Sequence, residues 1–234
     1  MSDETIRIGS DELRVWPNAQ NVSSWGDPKL LLTTFGDIDS YHGRLIDLLV
    51  GREQDKRGTA NNPLYACGIK IHHLDQLQSP AADLLTQRAR KLFRTVLDQD
   101  DAVVDAGWAS VYRQGEYCAA HSHLRTTASV VYMLDPGDAN PEDKDSGRFW
   151  IIDPRIPGCC GAQKGCMTTP IAPQLVAGTM LIFPGEVMHT VWPYHGERPR
   201  ITLSWNINGK AVPDADTYHR KRIRKHQARI GRED

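Results

Sequence analysis

Two hydrophobic periods divide the chain. Between Ser79 and about Asp98 the apolar residues Leu85, Ala89, Leu92, Phe93 and Val96 recur at the i, i+4, i+7, i+8 spacing of a helix lying on a core. Ser79 followed by Pro80 predicts its start, since serine caps well and a proline in the first turn sacrifices no intrahelical hydrogen bond. A second helix is expected over Ser40 to Arg52. From about residue 102 to 210 the pattern shortens to short runs rich in β-branched and aromatic residues: WASVYRQG, TASVVYML, GRFWIID, TMLIFPG and RITLSWNI. These predict strands. The turn-rich stretches DPGDANPEDKDSG and DPRIPGCCGAQKG between them favour an antiparallel β-sandwich or barrel over a parallel sheet.

The expected organisation is one domain over 1–234. It comprises a helical and irregular N-terminal buttress over 1–101, a β-rich core over 102–210 and a basic tail over 211–234. The tail, with HRKRIRKHQARIGRED, reads as a solvated helix or frayed end, because no aromatics are interleaved with its charges.

Composition narrows the partners. The 28 Lys and Arg nearly balance 29 Asp and Glu, so a net charge of −1 supplies no overall field for nucleic acid or anionic lipid. The opening MSDETIRIGSDELRVW is acidic where a secretory signal would be basic and then apolar, and no stretch approaches the roughly 18 apolar residues of a membrane span. Five cysteines, an odd number in a chain of this size, fit a reducing compartment. The expectation is a cytoplasmic protein with a small-molecule substrate and neither nucleic acid nor membrane as partner. The N-terminal helices could serve as a homodimer face as well as a cover for the barrel.

Of nine histidines, His121 and His123 in YCAAHSHLRT and His189 in FPGEVMHTVWP lie in or beside strand-like segments. On an extended chain, residues two apart share a face, so His121 and His123 could point into one barrel mouth and meet His189 from a neighbouring strand. Three imidazoles suit iron, zinc, copper or nickel and leave coordination positions open. A histidine taken at random is more often a satisfied core or surface residue, and His42, His72, His73, His219 and His226 are read so. Cys159, Cys160 and Cys166 lack the spacing of a zinc knuckle, and their segment from Arg155 to Thr169 reads as a loop over the mouth.

From Trp108 to Asn208 the chain resembles the 2-oxoglutarate and iron(II)-dependent oxygenases of the His-x-His, His, Arg-x-Ser/Thr type. The resemblance rests, in order, on Trp108, Gly115, His121-Ser122-His123, Val130-Val131-Tyr132, Asp153-Pro154-Arg155, Phe183-Pro184, His189, Arg200-Ile201-Thr202 and Asn206. It implies an α+β protein whose double-stranded β-helix, or jelly roll, is buttressed by N-terminal helices. It also implies Fe(II) as metal, with 2-oxoglutarate and O2 as co-substrates. Arg200 and Thr202 on one face of the last strand could grip a distal carboxylate, unless Arg200 is a surface residue paired with Glu197 or Glu186. Tyr112 and Tyr132 are further candidates for the co-substrate, since a phenol inside a barrel needs a polar partner, though either could be core.

His123 departs from the wider superfamily, where Asp or Glu usually stands. Three histidines, His121, His123 and His189, are then the direct reading of the metal shell. Asp153 as a carboxylate ligand, or His121 and His189 with water, are alternatives. A cupin-like metal dioxygenase or isomerase working without 2-oxoglutarate competes with this reading, as does a binding jelly roll without activity.

Overall fold

In the computed structural model the described residues are 4–25, 30–57, 68–123, 125–152 and 171–210. Asp153, the 155–169 loop with its three cysteines, and the 211–234 tail lie outside them.

The N-terminal part contains the hairpin β1 (Thr5–Ile8) and β2 (Asp11–Arg14), strands β3 (Ser23–Trp25) and β4 (Leu30–Thr34), helix α1 (His42–Arg57), strand β5 (Ile69–His72) and helix α2 (Pro80–Leu97). The later part contains β6 (Val103–Tyr112), β7 (Cys118–His121), β8 (Ala128–Asp135), β9 (Phe149–Ile152), β10 (Thr179–Pro184), β11 (Met188–Val191) and β12 (Arg200–Asn208). Ser79 caps α2, its hydroxyl accepting from the Ala82 N–H, with Pro80 in the first turn. The expected apolar stripe of α2 is its buried face: Leu85, Ala89, Leu92 and Phe93 are fully covered.

The strands form a seven-stranded sheet in the order β3-β4-β10-β8-β12-β6-β5 and a three-stranded sheet in the order β7-β11-β9, every pairing antiparallel. From β6 to β12 the chain passes between the large and the small sheet at every strand, which winds it as a double helix of strands. Ile171 adds an isolated bridge to Ile151 at the edge of the small sheet.

The period of two sorts each strand of the large sheet into two cores. On β12, Ile201, Leu203, Trp205 and Ile207 join α1 and α2 in one apolar cluster, together with Val130 and Tyr132 of β8 and Ala109 and Val111 of β6. The alternate residues Tyr112, Val131, Leu181 and Phe183 pack instead with Phe149, Ile151 and Val191 of the small sheet. The face turned to the small sheet also carries Arg200, Thr202 and Ser204, and the site lies there.

One expectation needs correction. Residues 1–101 are more than helix and irregular chain, because β3, β4 and β5 extend the large sheet at both edges. Their patterns were weak. LLLTT on β4 has three leucines followed by two threonines, with no alternation, and IKIH on β5 has only four residues, too few for a period to stand out.

Candidate active site

Antiparallel pairing of β7 with β11 sets His121 directly opposite His189. His123, just beyond the end of β7, is tied by its backbone N–H to the Gly185 carbonyl at 2.7 Å, which returns its ring to the same place. The three rings sit with centroids 4.2, 5.0 and 5.1 Å apart, and one ligating atom from each lies within 4.8 Å of the others. Nδ1 of His121 lies 2.8 Å from the Ala119 carbonyl and Nδ1 of His189 lies 3.0 Å from that of Val187. Proton donation from Nδ1 to those carbonyls leaves each Nε2 lone pair aimed inward, the tautomer a metal requires. Nε2 of His123 and Nε2 of His189 are 3.3 Å apart. Two nitrogens about 2.1 Å from one ion and at right angles to each other would be about 3 Å apart, so the separation fits a shared ion.

The surroundings keep these rings neutral. Trp108 stacks on His123 at 5.7 Å, and Phe149 and Phe183 flank His189 at 5.5 and 4.8 Å. Burial lowers the pKa of His189 to about 3 and of His123 to about 4, and lowers that of His121. Three deprotonated imidazoles facing one point form a donor set for a divalent metal. Among the described residues no carboxylate joins the cluster.

Beyond the histidines, Arg200 opens β12 opposite Tyr112 and is only 2% exposed. Its guanidinium carbon lies 5.2 Å from the centre of the Tyr112 ring, and its Nη1 is buried without a hydrogen-bond partner among the described residues. Burial lowers its pKa, offset in part by Tyr112 and Tyr194. Gly147, at φ +60, passes close over the side chain: a Cβ there would stand 2.8 Å from Arg200 Cδ. A buried, incompletely bonded cation costs several kcal/mol unless an anion meets it. That environment excludes the surface pairing with Glu197 or Glu186. Thr202 lines the same pocket, whose empty volume is about 470 Å³ counted out to solvent and which also holds His121, His123, His189 and Tyr112.

Tyr132 is elsewhere. Its ring belongs to the helix-side core, and its hydroxyl meets Tyr41 Oη at 3.0 Å and His42 Nε2 at 2.6 Å. The alternation of β8 places Val131 in the pocket and Tyr132 on the opposite face, so its polar partner is supplied by α1 and the residue before it rather than by a ligand. Lys70, Ser110 and Ser204 also line the pocket and were not singled out from the sequence. Lys70 is flanked by Ile69 and Ile71, an alternation that marks it as facing away from the apolar side of β5.

Residues 106–206 match the family model described as "Putative 2OG-Fe(II) oxygenase". This segment is a 2-oxoglutarate and Fe(II)-dependent oxygenase domain. Three solved structures illustrate the likeness. HygX from Streptomyces hygroscopicus, determined with nickel and 2-oxoglutarate bound, is 14% identical over 76% of this chain and 82% of its own, at a TM-score of 0.51. AviO1 from Streptomyces viridochromogenes Tue57 is 14% identical over 78% and 91%, at 0.51. An oxidoreductase of the 2OG-Fe(II) oxygenase family from Burkholderia pseudomallei is 13% identical over 57% of this chain, at 0.42, and this chain spans 60% of its length. No curated protein matches the sequence. At such identities the first two likenesses establish a shared fold, which for these oxygenases is the double-stranded β-helix. The matched segment is thus of a family that uses Fe(II), 2-oxoglutarate and O2.

Proposed function

We propose that this oxygenase hydroxylates a small molecule or an amino-acid-like substrate, with His121, His123 and His189 as its iron ligands. The reading is carried by one juxtaposition: three neutral imidazoles and a buried, incompletely bonded Arg200 face the same pocket. When bound, iron and 2-oxoglutarate together supply the oxidising power of dioxygen for attack on a substrate C–H bond.

The chain's own residues hold and exclude. A three-histidine shell carries one negative charge fewer than a shell with a carboxylate, which favours an anionic chelating co-substrate. Arg200 receives the distal carboxylate of 2-oxoglutarate, with Thr202 as hydroxyl donor and Tyr112 against the guanidinium. Trp108, Phe149 and Phe183 keep water from the histidine edges. None of these side chains has to exchange a proton with the substrate. A metal dioxygenase or isomerase without 2-oxoglutarate would leave Arg200 without an anion.

His189→Ala should reduce iron bound to purified, Fe(II)-reconstituted protein below about a tenth of an equivalent, with loss of 2-oxoglutarate turnover to succinate. Stoichiometric iron and full turnover in that variant would remove His189 from the shell.

A further inference from the structure

Arg200 is not the pocket's only cation. Lys70, on the edge strand β5, lines the same space, and among the described residues the lining includes no Asp or Glu. Among the described residues no carboxylate pairs with its ammonium, which lies 5.6 Å from the centre of the Trp108 ring. Trp108 in turn stacks on His123, so Lys70 stands one aromatic ring away from the histidine cluster.

The register shows what Lys70 shares. Lys70 is the partner of Ser110 on β6, and Ser110 is the partner of Thr202 on β12. Opposite residues on adjacent strands point to the same face, so an ammonium and two hydroxyls form one cross-strand row on the inner side of the sheet. The Arg200–Tyr112 row lies on one side of it and the Trp108–Ser204 row, beside the histidines, on the other. Lys70 occupies the edge end of the middle row. Lys56 lies outside that row, its Nζ donating to the Lys70 carbonyl at 3.1 Å.

We infer that Lys70 is the specificity-determining residue that receives a carboxylate of the prime substrate, entering over the β5 edge and across the face of Trp108. The inference rests on the function proposed above. In that reading one carboxylate of 2-oxoglutarate goes to Arg200 and Thr202 and the other, with the 2-oxo group, to the metal. Lys70 is then left for a third anionic group. A single ammonium next to hydroxyls suits a carboxylate, whereas phosphate recognition draws on several cations or a row of backbone N–H groups. Bound there, the carboxylate would fix one end of the substrate and leave the carbon chain lying along Trp108 toward the histidines.

Calorimetric titration of the full chain, loaded with Ni(II) in place of iron and saturated with 2-oxoglutarate, tests this without turnover. The probes are matched N-acetyl amino acids and their N-acetyl amino amides, with small, apolar and aromatic side chains. In at least one pair the acid should bind roughly tenfold or more tightly than the amide. Lys70→Met should erase that preference while leaving 2-oxoglutarate affinity within about twofold of wild type, and Lys70→Arg should restore part of it. The inference is overturned if 2-oxoglutarate binds but no acid outcompetes its amide, if a preference survives Lys70→Met, or if Lys70→Met weakens 2-oxoglutarate itself about tenfold, which would make Lys70 a co-substrate ligand. Failure of wild-type protein to bind 2-oxoglutarate at all would instead overturn the underlying function, and this inference with it.

Discussion

Arg200 and Tyr132 were both candidates for gripping 2-oxoglutarate, and one bond vector separates their fates. Arg200 lies on the inner face of β12, buried with Nη1 unpartnered among the described residues, whereas Tyr132 lies on the outer face of β8 with its hydroxyl already engaged. Opposite outcomes are expected from replacing them. Arg200→Met should weaken 2-oxoglutarate binding by about 1.5–3 kcal/mol, the worth of a charge-assisted hydrogen bond to a carboxylate. It should also raise the melting temperature of the ligand-free protein, because an uncompensated buried charge is removed. A ligand-free protein destabilised by Arg200→Met would show that the guanidinium is already compensated. Tyr132→Phe should leave 2-oxoglutarate affinity unchanged and cost about 1–2 kcal/mol in denaturant unfolding, since it strips a partner from the buried Tyr41 and His42 groups. A selective loss of 2-oxoglutarate binding would return Tyr132 to the pocket. The sequence held the clue to this split: within Ser129-Val130-Val131-Tyr132, alternation puts Ser129 and Val131 on one face and Val130 and Tyr132 on the other. Applying it required knowing which face was the pocket, and that depends on the placement of the helices.

At the scale of elements, α1, α2 and the outer face of the large sheet enclose polar groups as well as a core. Arg88 of α2 is fully buried, bonds the Val15 carbonyl at 3.1 Å and Tyr41 Oη at 3.0 Å, and pairs with Asp37. His42, at the start of α1, has its pKa lowered to about 4 by burial, against an ordinary value of 6.5. Because the folded value lies below the unfolded one, falling pH protonates the unfolded chain first. The contribution of neutral His42 to stability is therefore complete above about pH 6.5 and is lost as pH falls to about 4. Urea unfolding of the metal-free protein across this range should show a loss that is smaller in His42→Gln. An unchanged pH profile in that variant would mean that His42 is free to protonate in the fold. The helices, and strands β6, β8, β9, β10 and β12 with their runs of β-branched and aromatic residues, were legible in the sequence. The hairpin β1–β2 and strands β3 to β5 were not, because three to five residues at sheet edges take their conformation from the neighbour they pair with more than from their own pattern.

Across the whole molecule, the two sheets bring together residues separated by up to 135 positions along the chain, from Lys70 to Trp205. That convergence explains why the ligand set was readable as a list of residues, whereas Lys70, from the N-terminal part of the chain, was not: its membership in the pocket depends on β5 pairing with β6. No helix among the described residues is long and apolar enough to cross a membrane. The most direct test of the account is anaerobic titration of 2-oxoglutarate into Fe(II)-loaded protein, followed by the weak visible absorption of a metal-chelated 2-oxo acid. The account predicts that this band saturates at one equivalent per chain and that Arg200→Met shifts its midpoint roughly tenfold or more to higher concentration. Iron bound by the three histidines with no such band would contradict it.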